Sequence, residues 1–176
     1  MAKIAPDDVE RTEAYDPLNC THTALRLASR QMTQLYDDAL KPSGLTSSQS
    51  LLMSRLDEMG GAPGGTGPSL QALAKRLSLQ ISALTHALKP LMRDGLVTLV
   101  VDGEDRRIKR AQLTAEGLRR TQQMYALWLE VNARIDAVLG QGANGQLRSL
   151  AGLVASPEFA EKVLARQGDD QAQAVP

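Results

Sequence analysis

The hydrophobic period changes from helical to alternating between residues 69 and 117, and that switch constrains the fold more than any other feature of the chain. Leu70, Leu73, Ala74 and Leu77 recur at i, i+3, i+4 and i+7, the spacing of one buried helical face. Ser78, Leu79 and Gln80 form a short turn. A second periodic run then places Leu84, Leu88, Leu91 and Met92 inward, and Gly95 ends it as a helix-terminating glycine. Residues 96–101 (LVTLVV) are rich in β-branched side chains and read as a strand. Asp102-Gly103 is the dipeptide of a tight hairpin turn, and residues 106–113 return as the second strand, with four cations in their first five positions. Thr114 reads as the N-cap of a following helix. Helix, turn, helix and basic hairpin in that order make a winged helix-turn-helix, so the fold class is mainly α with a small β-hairpin wing.

Between the inward positions of the second helix lie Gln80, Ser82, Ala83, Thr85, His86 and Lys89. They are short or hydrogen-bonding and carry no negative charge, the chemistry needed against base edges and phosphates in a major groove. A solvated face is the alternative reading. At the hairpin tip stand Asp105, Arg106 and Arg107, followed by Lys109. An arginine there can enter a narrow minor groove, where negative potential is enhanced, and Arg107 is the candidate. Lys109 and Arg110 alternate on the strand, so one of them faces phosphate. Pro90 removes a helical hydrogen bond and is expected to bend the last turn.

The formal net charge is zero, yet its distribution is uneven. Residues 75–120 hold ten Lys/Arg against five Asp/Glu, and the remainder holds ten against fifteen. A basic module in an acidic scaffold is the asymmetry of a DNA binder whose other half does something else. Aromatics make up 3% of the chain, too few for stacking platforms on single strands or RNA. One cysteine excludes an internal disulfide framework and suits a reducing compartment. Two histidines, His22 and His86, fall in separate helices without a Cys/His cluster, so neither a metal site nor a cofactor is expected, and no catalytic constellation is visible. No run approaches membrane-spanning length and no apolar leader is present, which reads as a cytoplasmic protein.

Upstream, residues 1–17 form an acidic arm, either loosely docked or gripping a partner protomer. Residues 18–41 are helical in pattern through Ala24, Leu25, Ala28, Met32, Leu35, Tyr36 and Ala39, and Pro42 and Gly44 end the run. Thr46 and Gln49 have capping-box spacing, and Leu51, Leu52, Leu56 and Met59 define a second helix. Residues 60–68 (GGAPGGTGP) lack the Gly-Lys-Ser/Thr ending of a phosphate loop and read as a flexible connector. Downstream, Leu118, Met124, Leu127, Trp128, Val131, Ile135, Val138 and Leu139 mark one long helix. Residues 140–145 (GQGANG) interrupt it, and Leu147, Leu150, Leu153, Phe159, Val163 and Leu164 continue the helical pattern around Ser156-Pro157. Residues 167–176 are polar and read as a disordered tail.

Asp105-Arg106-Arg107 followed by Leu113-Thr114-Ala115-Glu116-Gly117 resembles the wing signature of the MarR (multiple antibiotic resistance regulator) family. Leu91-Met92-Arg93-Asp94-Gly95-Leu96-Val97 and Leu73-Ala74-Lys75-Arg76-Leu77 are similar to its recognition-helix end and first reader helix. The resemblance covers roughly residues 20–165. It implies a homodimer built on helices within 18–41 and 115–166, with 46–114 as the winged helix-turn-helix of a single MarR-like domain. Two reader helices about 34–36 Å apart would then require a pseudo-palindromic double-stranded operator. It also implies a transcription repressor released by a small effector, often a phenolic or aromatic carboxylate. His22, Arg26 and Arg30 share a face at i, i+4 and i+8 and are the candidate effector contacts; ion pairing, for instance with Asp37 or Asp38 or across the dimer, is the alternative.

A branch of the family senses hydroperoxides through a cysteine near the start of the first helix. Cys20 lies there, although alignment on Ser29, Arg30 and Tyr36 puts the sensing position on His22, and a small core or pocket-lining residue is the alternative reading of Cys20. Thiol-based sensing is therefore a rival function, and a protein-interaction winged helix that does not bind DNA is a second. Peroxide release abolished in Cys20→Ser would single out the first; failure to shift the protein's own promoter DNA would point to the second.

Overall fold

The computed structural model describes residues 20–172, so the acidic arm expected over 1–17 and the last four residues lie outside the described residues. The element order is α1 (Thr21–Leu40), a short 3-10 turn (Lys41–Ser43), α2 (Ser47–Glu58), α3 (Leu70–Arg76), α4 (Ile81–Arg93), β1 (Val97–Val101), β2 (Lys109–Leu113), α5 (Ala115–Leu139), α6 (Gln141–Val154) and α7 (Pro157–Ala172). The chain parts into two compact units, Ser29–Val131 and the segments on either side of it.

Within Ser29–Val131 one core gathers Leu40, Leu45, Leu52, Met53, Leu56, Leu73, Ala74, Leu84, Leu88, Leu91, Leu96, Val97, Ala111, Leu113 and Met124. Local chemistry sets the helix starts. Thr46 and Gln49 complete the expected capping box, the hydroxyl accepting the Gln49 N–H and the Gln49 side chain accepting the Thr46 N–H. Ser69 accepts the Ala72 N–H at the start of α3, and Thr114 accepts the Gly117 N–H at the start of α5. Truncating Leu84, Leu88 or Leu91, all fully buried, would cost about 2–5 kcal/mol each.

Several expectations are corrected. Met92 is 37% exposed, because Leu91 carries the apolar stripe of α4 onward to Leu96 and Met92 sits about 100° further round the helix. In α2, Leu51 is 51% exposed and Met53 is fully buried in the place expected for it. The hairpin is wider than the tight turn expected from Asp102-Gly103. Val101 pairs with Lys109 and Val97 with Leu113, leaving seven residues, 102–108, as the loop. Arg106 and Arg107 therefore belong to the wing loop and not to the return strand.

Nor is the glycine-rich segment a free connector. The Gly61 carbonyl accepts the Leu113 N–H at 2.7 Å, the Pro68 carbonyl accepts the Ala111 N–H at 3.0 Å, and Ser69 forms a bridge with Arg110. The Gln112 side chain donates to the Gly65 carbonyl at 2.7 Å. Gly67 adopts φ +67°, and a Cβ there would overlap the Ala111 carbonyl. The segment runs along the free edge of β2 and covers it.

In the second unit, Gly140 at φ +78° is the whole interruption between α5 and α6; α6 starts at Gln141, inside the stretch expected to break the helix. A single left-handed glycine is enough to redirect the chain. Asn144, buried, donates to Asp136. The Ser156 hydroxyl accepts the Phe159 N–H at the start of α7, which extends to Ala172, past the boundary expected at residue 166. Leu147, Leu150, Leu153, Phe159, Val163 and Leu164 are all exposed, Leu164 at 65% and Val138 of α5 at 85%. Leu25, Leu27 and Leu35 of α1 are exposed too. Among the described residues no helix is long and apolar enough to cross a membrane.

Candidate nucleic-acid interface

The turn between α3 and α4 is a Schellman motif built on a serine. Ser78 takes φ +53°, its N–H reaches the Lys75 carbonyl, and the Leu79 N–H reaches the Ala74 carbonyl at 2.9 Å. α4 ends in the same way, with Gly95 at φ +70°, its N–H on Met92 and the Leu96 N–H on Leu91 at 2.8 Å. The first of these caps closes α3 and the second closes the 13-residue α4. Pro90 lies inside it, and the helix continues through Pro90 to Arg93.

With Leu84, Leu88 and Leu91 buried, the opposite side of α4 is solvent-facing. Gln80, Ser82, Ala83, Thr85, His86 and Lys89 are all exposed, as a groove-reading face requires. Gln80 stands at the N-cap with no side-chain capping bond. The Thr85 hydroxyl donates to the Ile81 carbonyl at 2.8 Å, which leaves its oxygen as an acceptor.

The wing loop is held by two aspartates. Asp102 accepts the N–H groups of Glu104 and Asp105 with one oxygen, at 2.9 Å each, and the Arg110 guanidinium with the other. The Asp105 N–H, then Arg110 and the Glu104 N–H, hold the Asp102 carboxyl down at about 2. Arg110 also donates to the Gly67 carbonyl at 2.9 Å, tying the wing to the glycine-rich segment. The Asp105 carboxylate accepts the Arg107 backbone N–H at 2.9 Å. Asp102 and Arg110 make the aspartate–arginine pair of the wing, and Asp105 shapes the backbone. Neither Asp102 nor Arg110 was singled out as a brace from the sequence, although an Asp opening a loop two residues before an acceptor-seeking N–H is an Asx-turn signal.

Ion pairing divides the ten cations of residues 75–120 into two halves. Arg76, Arg93, Arg110, Arg119 and Arg120 are paired with carboxylates. Lys75, Lys89, Arg106, Arg107 and Lys109 are exposed and make no ion pair among the described residues. Arg107 and Lys109 of the wing line a 240 Å³ concavity together with Ile81 at the start of α4 and Ser69, Leu70 and Gln71 of the α3 entrance. The wing and the reader helix thus border one depression.

The chain matches solved structures over most of its length. It is 28% identical to the transcriptional regulator MosR of M. tuberculosis solved with DNA, over 89% of this chain and 99% of that one, with a TM-score of 0.60. A MarR variant from E. coli complexed with operator DNA is 20% identical, over 80% and 94%, with a TM-score of 0.69. The PcaV regulator of Streptomyces coelicolor with its natural ligand is 22% identical, over 82% and 98%, with a TM-score of 0.71. The chain has the fold of the MarR-family regulators. No family model and no curated protein matches the sequence.

A second feature of this MarR-family fold is a cavity of about 540 Å³ lined by Tyr36, Leu40, Ser47, Ser50, Leu51, Ser54, Arg55, Met124, Tyr125 and Trp128. Its volume falls in the range of small-molecule sites, roughly 300–1,000 Å³. The Ser50 hydroxyl, on a residue 5% exposed, has no hydrogen-bond partner in the structure. The cation in the lining is Arg55, a residue the sequence did not mark, since its position on α2 reads as an ordinary polar one; the sequence pointed to His22, Arg26 and Arg30 on α1, all exposed. Among the described residues these cations do not pair with Asp37 or Asp38: Asp37 accepts the Ser47 N–H and Asp38 pairs with Lys41.

Cys20 is exposed, and its carbonyl accepts the Ala24 N–H in the first bond of α1. The Thr23 N–H, followed by the Thr23 hydroxyl and the His22 N–H, lowers the thiol below its ordinary value. Among the described residues no group of three or more His, Cys, Asp and Glu is placed to hold a metal ion.

Proposed function

We propose that this chain is a sequence-specific, double-stranded DNA-binding transcription regulator that works as a homodimer and represses until a small effector releases it. The observation that carries the reading is the sorting of cations: those that remain unpaired and exposed in residues 75–120 include Lys89 on the reader helix and Arg106, Arg107 and Lys109 on the wing. Lys89 and the wing cations supply phosphate attraction, Arg107 enters the minor groove, and Gln80, Ser82, Ala83, Thr85 and His86 read base edges. MosR and MarR, which share this fold, were solved on DNA. The exposed apolar stripes of α1, α6 and α7 favour pairing with their mates in a second copy, which sets two readers about one DNA turn apart, ~34–36 Å.

The effector occupies the 540 Å³ cavity, its ring against Tyr36, Leu51, Met124 and Trp128 and its carboxylate toward Arg55, with Ser50 supplying a hydrogen bond. PcaV, of the same fold, was solved with its natural ligand. Binding there favours a spacing of the readers that fits both half-sites poorly, which is a population shift. The test is a gel shift with the DNA upstream of the protein's own gene, followed by addition of aromatic acids and their thioesters chosen by thermal shift. A retarded band dispersed by an acid supports the reading; no band at low salt refutes it.

The state of Cys20 favours a second reading, release by thiol oxidation, because a lowered thiol at an exposed helix start is the more nucleophilic thiolate. Peroxide would then disperse the wild-type complex and leave Cys20→Ser bound.

A further inference from the structure

Arg55 is shared between the cavity and a carboxylate that leads out of it. Arg55 lines the cavity, and its guanidinium pairs with Glu58 one turn further along α2. The other oxygen of Glu58 holds Arg76 of α3 at 2.9 Å. Glu58 thus has one oxygen on each arginine, and the pair of bonds spans from the cavity wall to the first helix of the reader. The Arg55 bond, then that from Arg76, lowers the Glu58 carboxyl below the usual carboxylate range. The four-residue turn Leu77–Gln80, closed by the Ser78 cap, joins α3 to α4.

We infer that Arg55, Glu58 and Arg76 form the connection through which an anion in the cavity acts on the reader helices. The inference rests on the effector reading above and deepens it. An anionic head on Arg55 competes with Glu58 for the same guanidinium. Glu58 then gives up its Arg55 bond and has both oxygens available to Arg76, changing how α3 is held against the end of α2. No bond is made or broken covalently; one ion pair is exchanged for another. Half-exposed pairs of this kind carry little energy singly, so the exchange accounts for a part of the coupling and not for all of it.

The test uses the full-length protein, with 4-hydroxybenzoate as the probe. Calorimetry measures probe binding, and fluorescence anisotropy measures the ratio of DNA Kd with saturating probe to Kd without it. In the wild type the probe binds and the ratio is about tenfold, within the usual range of allosteric coupling. In Glu58→Gln the probe binds at least as tightly, because its competitor for Arg55 is gone, yet the ratio falls about threefold, the share one half-exposed pair carries. Arg76→Gln, which breaks the other arm, lowers the ratio by a similar factor. An undiminished ratio in both variants overturns the connection and leaves the cavity reading standing. Failure of the wild type to bind the probe, or binding with no effect on DNA affinity, overturns both.

Discussion

Asp102 and Arg110 face each other across the base of the wing, joined by an ion pair, and Arg110 also donates to the Gly67 carbonyl. One aspartate therefore positions the loop carrying Arg106 and Arg107 and ties it to the glycine-rich segment. Asp102→Asn keeps an acceptor for the Glu104 and Asp105 N–H groups and gives up the charge toward Arg110, whereas Asp102→Ala gives up both. DNA affinity measured by anisotropy is expected to fall about threefold in the asparagine variant and about tenfold in the alanine variant, the difference being the preorganisation of the loop. Equal effects would mean that the backbone bonds to Asp102 do not matter.

The same carboxylate sets an acid limit for the wing. Its folded value of about 2 lies below the ordinary 3.8, so its contribution is fully present above about pH 4 and is lost as pH falls through about 2. The amide resonances of Glu104 and Asp105 should stay in place down to pH 4 and titrate with a midpoint near 2. A midpoint near 3.8 would show that the bonds to Asp102 do not persist in solution.

Ser78 holds a left-handed backbone that costs a side-chain-bearing residue about 1–2 kcal/mol. Ser78→Gly relieves that strain against a smaller loss of unfolded-state restriction, so chemical denaturation should show a gain of about 0.5–1 kcal/mol. Ser78→Val should destabilise.

Gly67 carries the opposite expectation. A methyl there meets the Ala111 carbonyl and must also accept φ +67°. Gly67→Ala should destabilise by about 2 kcal/mol or more and displace the strand that presents Lys109. Gly103, with open space around its Cβ position and no left-handed φ, should accept alanine at little cost.

These positions show what was legible in the sequence. The reader helix announces itself because Leu84, Leu88 and Leu91 follow the helical period, and the starts of α2 and α5 because Thr46, Gln49 and Thr114 sit where caps belong. The fold class and the exposed face of α4 followed from that alone. The wing tip was drawn too tight, because Asp102-Gly103 has the composition of a two-residue turn while the Asp102 carboxylate gathers N–H groups into a seven-residue loop. Gly61, Pro68 and Gly65 read as connector, since the hydrogen bonds that β2 donates to their carbonyls leave no trace in hydrophobic period. Arg55 was invisible for a similar reason: its neighbours across the cavity, Tyr125 and Trp128, lie some seventy residues away in the chain.

The most direct test of DNA reading by the wing and α4 is the dependence of DNA affinity on salt. Lys89, Arg106, Arg107 and Lys109 on each of two protomers would release counterions from about eight phosphates, giving a slope of log K against log salt near −7. Arg107→Ala should flatten the slope by about 2, one contact per protomer, and weaken binding throughout. A slope near zero in the wild type, or one unchanged by Arg107→Ala, would contradict the account.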